Sequence, residues 1–228
     1  MAIHQVAALV PMRHHSQRVD GKNYRPLSGK PLFYYILTTL EAVPGIDVIV
    51  VDTDSPIIKE KIIQDFPEIK IIDRPVNLQA DDISMNEILM YDTSQIPADA
   101  YFQTHSTNPL LSAATITRAL EKFTSIYPAY DSLFSVTRIQ SRLWDLLARP
   151  INHNPAILLQ TQDLPPVYEE NSCFYLFTRE TLCNKHTRIG ERPFLFEINK
   201  TEAWDIDDEE DFEIAEMLMK QGSYKSLV

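Results

Sequence analysis

Glycine and cysteine are scarce in this chain of 228 residues, which has five of the first and two of the second. Two cysteines, Cys173 and Cys183, cannot build a disulfide scaffold or a cysteine-based zinc site, so both read as small core residues. With so little glycine, neither G-x-x-x-x-G-K-S/T nor G-x-G-x-x-G occurs, and the two standard glycine-rich phosphate cradles are excluded. No run approaches the ~20 apolar residues that span a bilayer. The opening "MAIHQVAALVPMR" has too short an apolar stretch for a secretory signal, so the expectation is a cytoplasmic protein with no membrane partner. Positive charge is also short: 21 Lys and Arg against 32 Asp and Glu leave a formal charge of −11, which argues against nucleic acid as a partner.

What positive charge there is sits at the front. From residue 1 to 30, Arg13, Arg18, Lys22, Arg25 and Lys30 face the single acid Asp20, a local charge of +4 that leaves −15 for the remainder. Such a reversal suits a small polyanionic ligand, although a solvated surface loop would have the same composition. At the other end, every charged residue from Glu202 to Glu216 is acidic.

Hydrophobic content of 44% suffices for a full core. Short apolar runs at 6–10, 47–52, 69–73, 100–104, 131–136 and 173–177 read as buried strands. Between them lie helix-like segments such as "PLFYYILTTLEAV", "PIIKEKIIQDF", "SMNEILMYDTS" and "SAATITRALEKF". The alternation predicts an α/β fold, a mostly parallel sheet with helices on both faces and ligands beyond the carboxyl ends of the strands. The basic loop follows the first strand, where a ligand is expected. No linker or repeat divides the chain, so a single domain over 1–228 is expected, with an irregular, proline-bearing insertion at about 138–192.

Asp205 and Asp207 in "DID" have the i, i+2 spacing that aims two carboxylates to one side of an extended segment. Met by the basic loop at one site, they would hold Mg²⁺, an ion that takes one or two carboxylates plus substrate phosphates. The structural alternative is helix capping, with Asp207 as N-cap and Glu210 at the third helical position. Capping leaves Asp205 unexplained.

The opening "ALVPMRHHSQRVDGKNYRPLSGKPLFYYIL" resembles the start of the acylneuraminate cytidylyltransferase family, the CMP-sialic acid synthetase-like enzymes. Five further segments follow in the family's order: "DRPVNLQADD", "FQTHSTNPLLSAATITRALEKF", "DSLFSVTRIQSRLW", "TQDLPPVYEENSCFYLF" and "WDIDDEEDFEIAE". The resemblance implies a three-layer α/β/α Rossmann-like nucleotidyltransferase fold with an inserted dimerisation segment, and hence a homodimer. It also implies transfer of CMP from CTP to the anomeric hydroxyl of a 2-keto-3-deoxy sugar acid, with release of pyrophosphate. By matching position, Arg13 and Lys22 would contact phosphates and Asn23, Arg74 and Ser84 the nucleoside. Gln103, His105, Tyr168 and Asn171 would lie on the sugar side. Asp205 and Asp207 would bind Mg²⁺, and Asp207 joins Arg13 and Lys22 as a catalytic candidate by orienting or deprotonating the sugar hydroxyl. Arg74 has a structural rival role, an ion pair with Asp73 or Asp81.

The departures bear on the acceptor. His14, His15 and Gln17 replace small residues and a lysine of the family pattern, and His105 enters its Pro-Thr-Ser-Pro stretch. The three histidines share no regular ligand spacing, so no metal is assigned to them. Where family members often carry "RRQDLP", this chain has Gln160 and Thr161. An arginine there would be a natural bidentate partner for a carboxylate. Alternatives are a nucleotidyltransferase with another acceptor, or a nucleotide-binding protein on the same fold without turnover.

Overall fold

The computed structural model describes residues 3–220. Strand β1 (Val6–Leu9) is buried along its whole length, and its alternate side chains enter opposite cores. The basic loop follows, with a two-stranded ribbon of β2 (Pro26–Leu27) and β3 (Lys30–Pro31). Next come α1 (Leu32–Glu41), β4 (Val48–Thr53), α2 (Pro56–Asp65), β5 (Lys70–Asp73), α3 (Met85–Gln95), β6 (Ala100–Thr104) and α4 (Ala113–Ile126). The chain closes with β7 (Ser132–Ile139), β8 (Val167–Phe177), α5 (Arg179–Lys185), β9 (Pro193–Glu197) and α6 (Glu209–Lys220).

Helix starts are set by short polar side chains. Ser55, Ser84, Ser112 and Thr178 each accept an N–H of the first turn, and Pro56 stands at the first helical position of α2, where no N–H is needed. Helices α1, α2 and α4 send Phe33, Ile36, Ile58, Ile62, Ile116 and Phe123 into the core on one face of the sheet. Helices α3 and α5 send Leu89 and Leu182 to the other face. Of the two cysteines, Cys173 is buried and Cys183 half-buried.

Seven strands form one sheet in the order β5-β4-β1-β6-β8-β7-β9. All neighbours are parallel except β8, which runs against both β6 and β7. The chain steps outward from β1 through β4 to β5, then returns to the far flank of β1 as β6. That reversal splays the loops after β1 and β6 apart and opens a crevice at their carboxyl ends.

The excursion is narrower than the expected 138–192. Residues 140–166 are irregular, but β8 then enters the middle of the sheet and α5 packs beneath it. The apolar "CFYLF" at 173–177 pulls the chain back, since Cys173 to Phe177 are all fully buried. Among the described residues no helix is long and apolar enough to cross a membrane.

A separate small core holds the two ends of the chain together. Val19 of the basic loop, Leu27, Leu32, Ile206, Phe212 and Ala215 pack as one buried cluster. Around it, Arg25 binds Glu209 and lies 4.6 Å over the Phe212 ring, while the Ser28 N–H donates to Glu216. The acids of α6 thus anchor the front loop.

Candidate functional site

A cavity of about 420 Å³ opens at the carboxyl ends of β1 and β6. Its lining includes Arg13, Arg18, Lys22 and Asn23 from the front loop, Arg74 after β5, His105, Ser106 and Thr107 after β6, Ser172 of β8, and Asp205 and Asp207. Of the eleven residues to which the resemblance gives a site role, seven share this lining: Arg13, Lys22, Asn23, Arg74, His105, Asp205 and Asp207.

The front loop is shaped by its own contacts. Gly21 takes φ of +60° to enter the turn of Lys22–Tyr24, and a Cβ there would meet the Tyr24 ring at 2.6 Å. Asn23 ties three segments: its Nδ2 donates to the Arg13 carbonyl (2.7 Å) and its Oδ1 accepts from Ser106 Oγ (2.7 Å). Arg13 Nη1 and Gln17 Nε2 both reach Asp81, at 2.7 and 3.0 Å. Lys22 is almost buried, with Nζ donating to the Ile206 carbonyl at 2.8 Å and lying 3.3 Å from Asp207 Oδ1. Arg18 approaches the same oxygen at 2.7 Å. His14 is absent from the lining, stacked on Tyr24, hydrogen-bonded to Ser55 ahead of α2 and edge-on to His15, and among the described residues the histidines form no metal cluster.

The "DID" segment is pinned from both sides. The Ile206 N–H donates to the Thr107 carbonyl (2.9 Å) and the Ile206 side chain enters the small core, which leaves Asp205 and Asp207 facing the cavity. The helix cap falls one residue later than expected. Asp208 accepts the Asp211 N–H (3.1 Å), and Asp211 in return accepts from the N–H groups of Asp207 and Asp208. This reciprocal pair satisfies the helix end and leaves the Asp207 side chain free of capping.

Asp205 Oδ1 is buried and has no hydrogen-bond partner among the described residues. Burial, and then the negative charge of Asp207, raise the pKa of Asp205, against a lowering hydrogen bond with Thr107. An orphaned carboxylate oxygen beside a second carboxylate is an all-oxygen donor set that fits a hard divalent cation. Among the described residues no cluster of three or more His, Cys, Asp or Glu side chains is suited to a metal. Such an ion would therefore complete its shell with water and ligand oxygens.

Arg74 pairs with neither Asp73 nor Asp81. It is buried against Asp52 at the end of β4, while Asp73 binds Lys59 and Asp81 binds Arg13. Its Nη1 is buried without a partner among the described residues, as is Asp52 Oδ2. Behind them lies Asp92 of α3, its pKa pushed up to about 9 by burial first and by the charge of Asp52 second. Burial raises the pKa of Asp52 as well, against the opposing charge of Arg74.

On the β6 side, Gln103 is wholly buried and stands behind the lining. Its Oε1 accepts from Arg188 Nη1 (2.6 Å), and its Nε2 lies 3.1 Å from His105 Nε2. Arginine only donates, so the Gln103 amide must face His105 with its NH₂, and His105 Nε2 must accept. The ring proton of His105 is then on Nδ1. Burial, with Arg188 and Lys22 nearby, pushes the His105 pKa down to about 3 and keeps the ring neutral.

Besides Gln103, three expected residues stand outside the lining. Ser84 caps α3 in a reciprocal pair with Glu87. Tyr168 is exposed near the start of β8, opposite Arg138. Asn171 fills the irregularity between β7 and β8: its Oδ1 accepts from Ser135 Oγ (2.6 Å) and the Cys173 N–H, and its Nδ2 donates to Thr137 (2.8 Å). That plug holds Ser172, at φ of +58°, in the cavity wall. The sequence reading also missed Asp81, Asp52, Asp92 and Arg188. The side-chain bonds Arg13–Asp81, Arg74–Asp52 and Arg188–Gln103 span 68, 22 and 85 positions, and no local pattern signals such partners.

A family model described as Cytidylyltransferase matches residues 7–226. Among curated proteins, the N-acylneuraminate cytidylyltransferase A of Danio rerio is 25% identical and is matched over 96% of this chain and 52% of its own length. The Post-translational flagellin modification protein B of Campylobacter coli is 22% identical over 97% of this chain and 98% of its own. The chain thus spans about half the length of the fish relative. Of solved structures, a CMP:2-keto-3-deoxy-manno-octonic acid synthetase complexed with CTP superposes with a TM-score of 0.69 at 17% identity, over 95% of this chain and 99% of that one. The 4-diphosphocytidyl-2C-methyl-D-erythritol synthase of Anaerococcus prevotii gives 0.68 at 11% identity, over 95% and 96%. Both share the fold.

Proposed function

The chain belongs to the cytidylyltransferase family and is acylneuraminate cytidylyltransferase-like, and from that premise we propose that it transfers CMP from CTP to the anomeric hydroxyl of a 2-keto-3-deoxy sugar acid. The observation that carries the reading is the meeting of Arg13 and Lys22 with Asp205 and Asp207 in one cavity.

The chemistry asks for position and charge rather than a covalent intermediate. The sugar oxygen attacks the α-phosphorus of CTP, the bond from that phosphorus to the bridging oxygen breaks, and pyrophosphate leaves with the electron pair. Arg13 and Lys22 would offset the triphosphate charge. Arg74, which lines the cavity while its guanidinium is held against Asp52, would stand against the nucleoside, and Asn23 holds the loop in register for it. Asp205 and Asp207 would hold Mg²⁺, which when bound supplies charge neutralisation at the phosphates. The proton of the attacking hydroxyl would pass to a carboxylate of this pair. The neutral His105 offers a hydrogen bond on the acceptor side.

The excursion supports self-association. Leu146, Leu147 and Leu158 stand almost fully exposed on it, with Trp144 and Ile151 also exposed, and apolar groups so grouped mark an interaction surface. A homodimer through this segment is the reading. Sedimentation would give a dimer, and Leu146→Glu with Leu158→Glu would give a monomer; an unchanged mass would contradict it.

The function is tested by offering ATP, GTP, UTP and CTP with a panel of 2-keto-3-deoxy sugar acids and Mg²⁺, and measuring pyrophosphate. Release with CTP and an acid supports the proposal. Release with another nucleotide and none with CTP defeats it.

A further inference from the structure

Arg188, in the loop between α5 and β9, makes no ion pair among the described residues. We infer that this guanidinium, from directly behind the cavity wall, supplies the positive charge that selects a negatively charged group on the acceptor, a carboxylate under the function proposed above, on which the inference rests. It thereby does the work of the arginines absent at Gln160 and Thr161.

Three contacts place it directly behind the acceptor wall. Its backbone N–H donates to Asn86 Oδ1 (3.2 Å), next to Met85 in the lining. Its Nη1 donates to Gln103 Oε1 (2.6 Å), which is joined through the same amide to His105 in the lining. Its guanidinium carbon lies 3.6 Å from the centroid of the Tyr175 ring, and the Tyr175 hydroxyl contacts Ser172 Oγ (3.1 Å), again in the lining. Met85, His105 and Ser172 are thus each one step in front of Arg188. Arg188 itself stands outside the lining, one layer back and partly buried, whereas Gln160 and Thr161 are exposed on the excursion.

The charge there is poorly compensated. The groups facing it are the Tyr175 ring, the Gln103 amide and, through the Tyr175 hydroxyl, Glu170. Burial works against its protonated form, yet arginine does not deprotonate in proteins. A half-buried cation in this condition gains from an anionic group brought up to the wall in front of it, because a low dielectric lets its charge act across one layer of side chains. Stacking on Tyr175 fixes the fork before any ligand arrives, so the acceptor side is charged in advance.

The test compares two sugar acids, N-acetylneuraminic acid and 3-deoxy-manno-octulosonic acid, with their methyl esters, in the full chain with CTP and Mg²⁺. In the wild-type protein, esterification should lower kcat/KM for the acceptor roughly 10- to 100-fold. Arg188→Met should raise the acceptor KM of the acid by a similar factor and erase the difference between acid and ester. The KM for CTP and the Tm should stay near wild type. Arg188→Lys should recover part of the discrimination, since it keeps the charge and loses the fork. Should Arg188→Met fail to fold, Arg188→Gln carries the same comparison, because it retains a donor toward Gln103. A folded variant that keeps both the wild-type acceptor KM and the acid-to-ester ratio overturns this inference alone. Absence of turnover by the wild-type protein with CTP and every acid overturns the proposed function, and this inference with it.

Discussion

The two sides of the cavity handle charge in opposite ways. On the front-loop side, Arg13 rests against Asp81 and Arg18 against Asp207, in pairs whose side chains are 43–63% exposed. On the β5 side, the Arg74 and Asp52 side chains are 1% exposed, and only an edge of Arg74 reaches the cavity. An exposed pair stabilises by under about 1 kcal/mol, whereas removing one partner of a buried pair leaves a charge stranded. Arg13 and Arg18 can therefore exchange carboxylates for phosphates at little cost, while Arg74 cannot leave its place. One side is adjustable and the other fixed, as a site needs if it must grip a mobile triphosphate and still position a nucleoside.

The sharpest break in this comparison is at the fixed side. Asp52→Ala should destabilise the protein by about 3–5 kcal/mol in urea unfolding. A loss within 1 kcal/mol would show that the buried pair is not what holds that wall. Next comes Asp207→Asn, which should lower kcat roughly 100-fold with Tm unchanged, the scale expected for losing one preorganised charge-stabilising group. Unaltered turnover would remove Asp207 from the chemistry.

Asp92 gives a smaller effect with a definite sign. Its folded-state pKa of about 9 lies above the ordinary carboxylate value, so the native chain holds a proton that the unfolded chain has lost at neutral pH. Its contribution to stability is complete below about pH 4 and is lost as the pH rises toward 9, with a slope of up to ~1.4 kcal/mol per pH unit. Asp92→Asn mimics the protonated form and should flatten this dependence between pH 5 and 9 in unfolding experiments. An equally steep slope in the variant would place the proton elsewhere. Smallest is Asp81→Asn on the adjustable side. It should change stability by less than about 1 kcal/mol and leave CTP binding equal or tighter by titration calorimetry; weaker binding would mean that Asp81 supports the nucleotide rather than competing with it.

Much of the fold was legible because burial imprints short periods. The runs at 6–10, 47–52, 69–73 and 100–104 became β1, β4, β5 and β6, and the four quoted helical segments became α1 to α4. Each of these segments carries its own signal, either a continuous apolar run or a serine cap ahead of a helical stripe. The insertion was read too wide because β8 is half exposed along its first residues, and only its last five show the apolar run. Within the site, the positive loop and the "DID" pair were visible as charge and spacing. What brings them together was not: Val19, Leu27, Ile206 and Phe212 lie far apart in the chain and look like unrelated apolar residues. The cap at Asp208 in place of Asp207 was hidden among consecutive acids, each able to serve. Arg74 and Arg188 took partners 22 and 85 positions away, where no spacing rule reaches.

The most direct measurement is a crystal structure with CTP and Mn²⁺, collected at a wavelength where manganese scatters anomalously. The account predicts an anomalous peak in coordination contact with Asp205, Asp207 and a phosphate oxygen, with Arg13 and Lys22 against the same triphosphate. A nucleotide bound elsewhere, or a metal away from both aspartates, would contradict it.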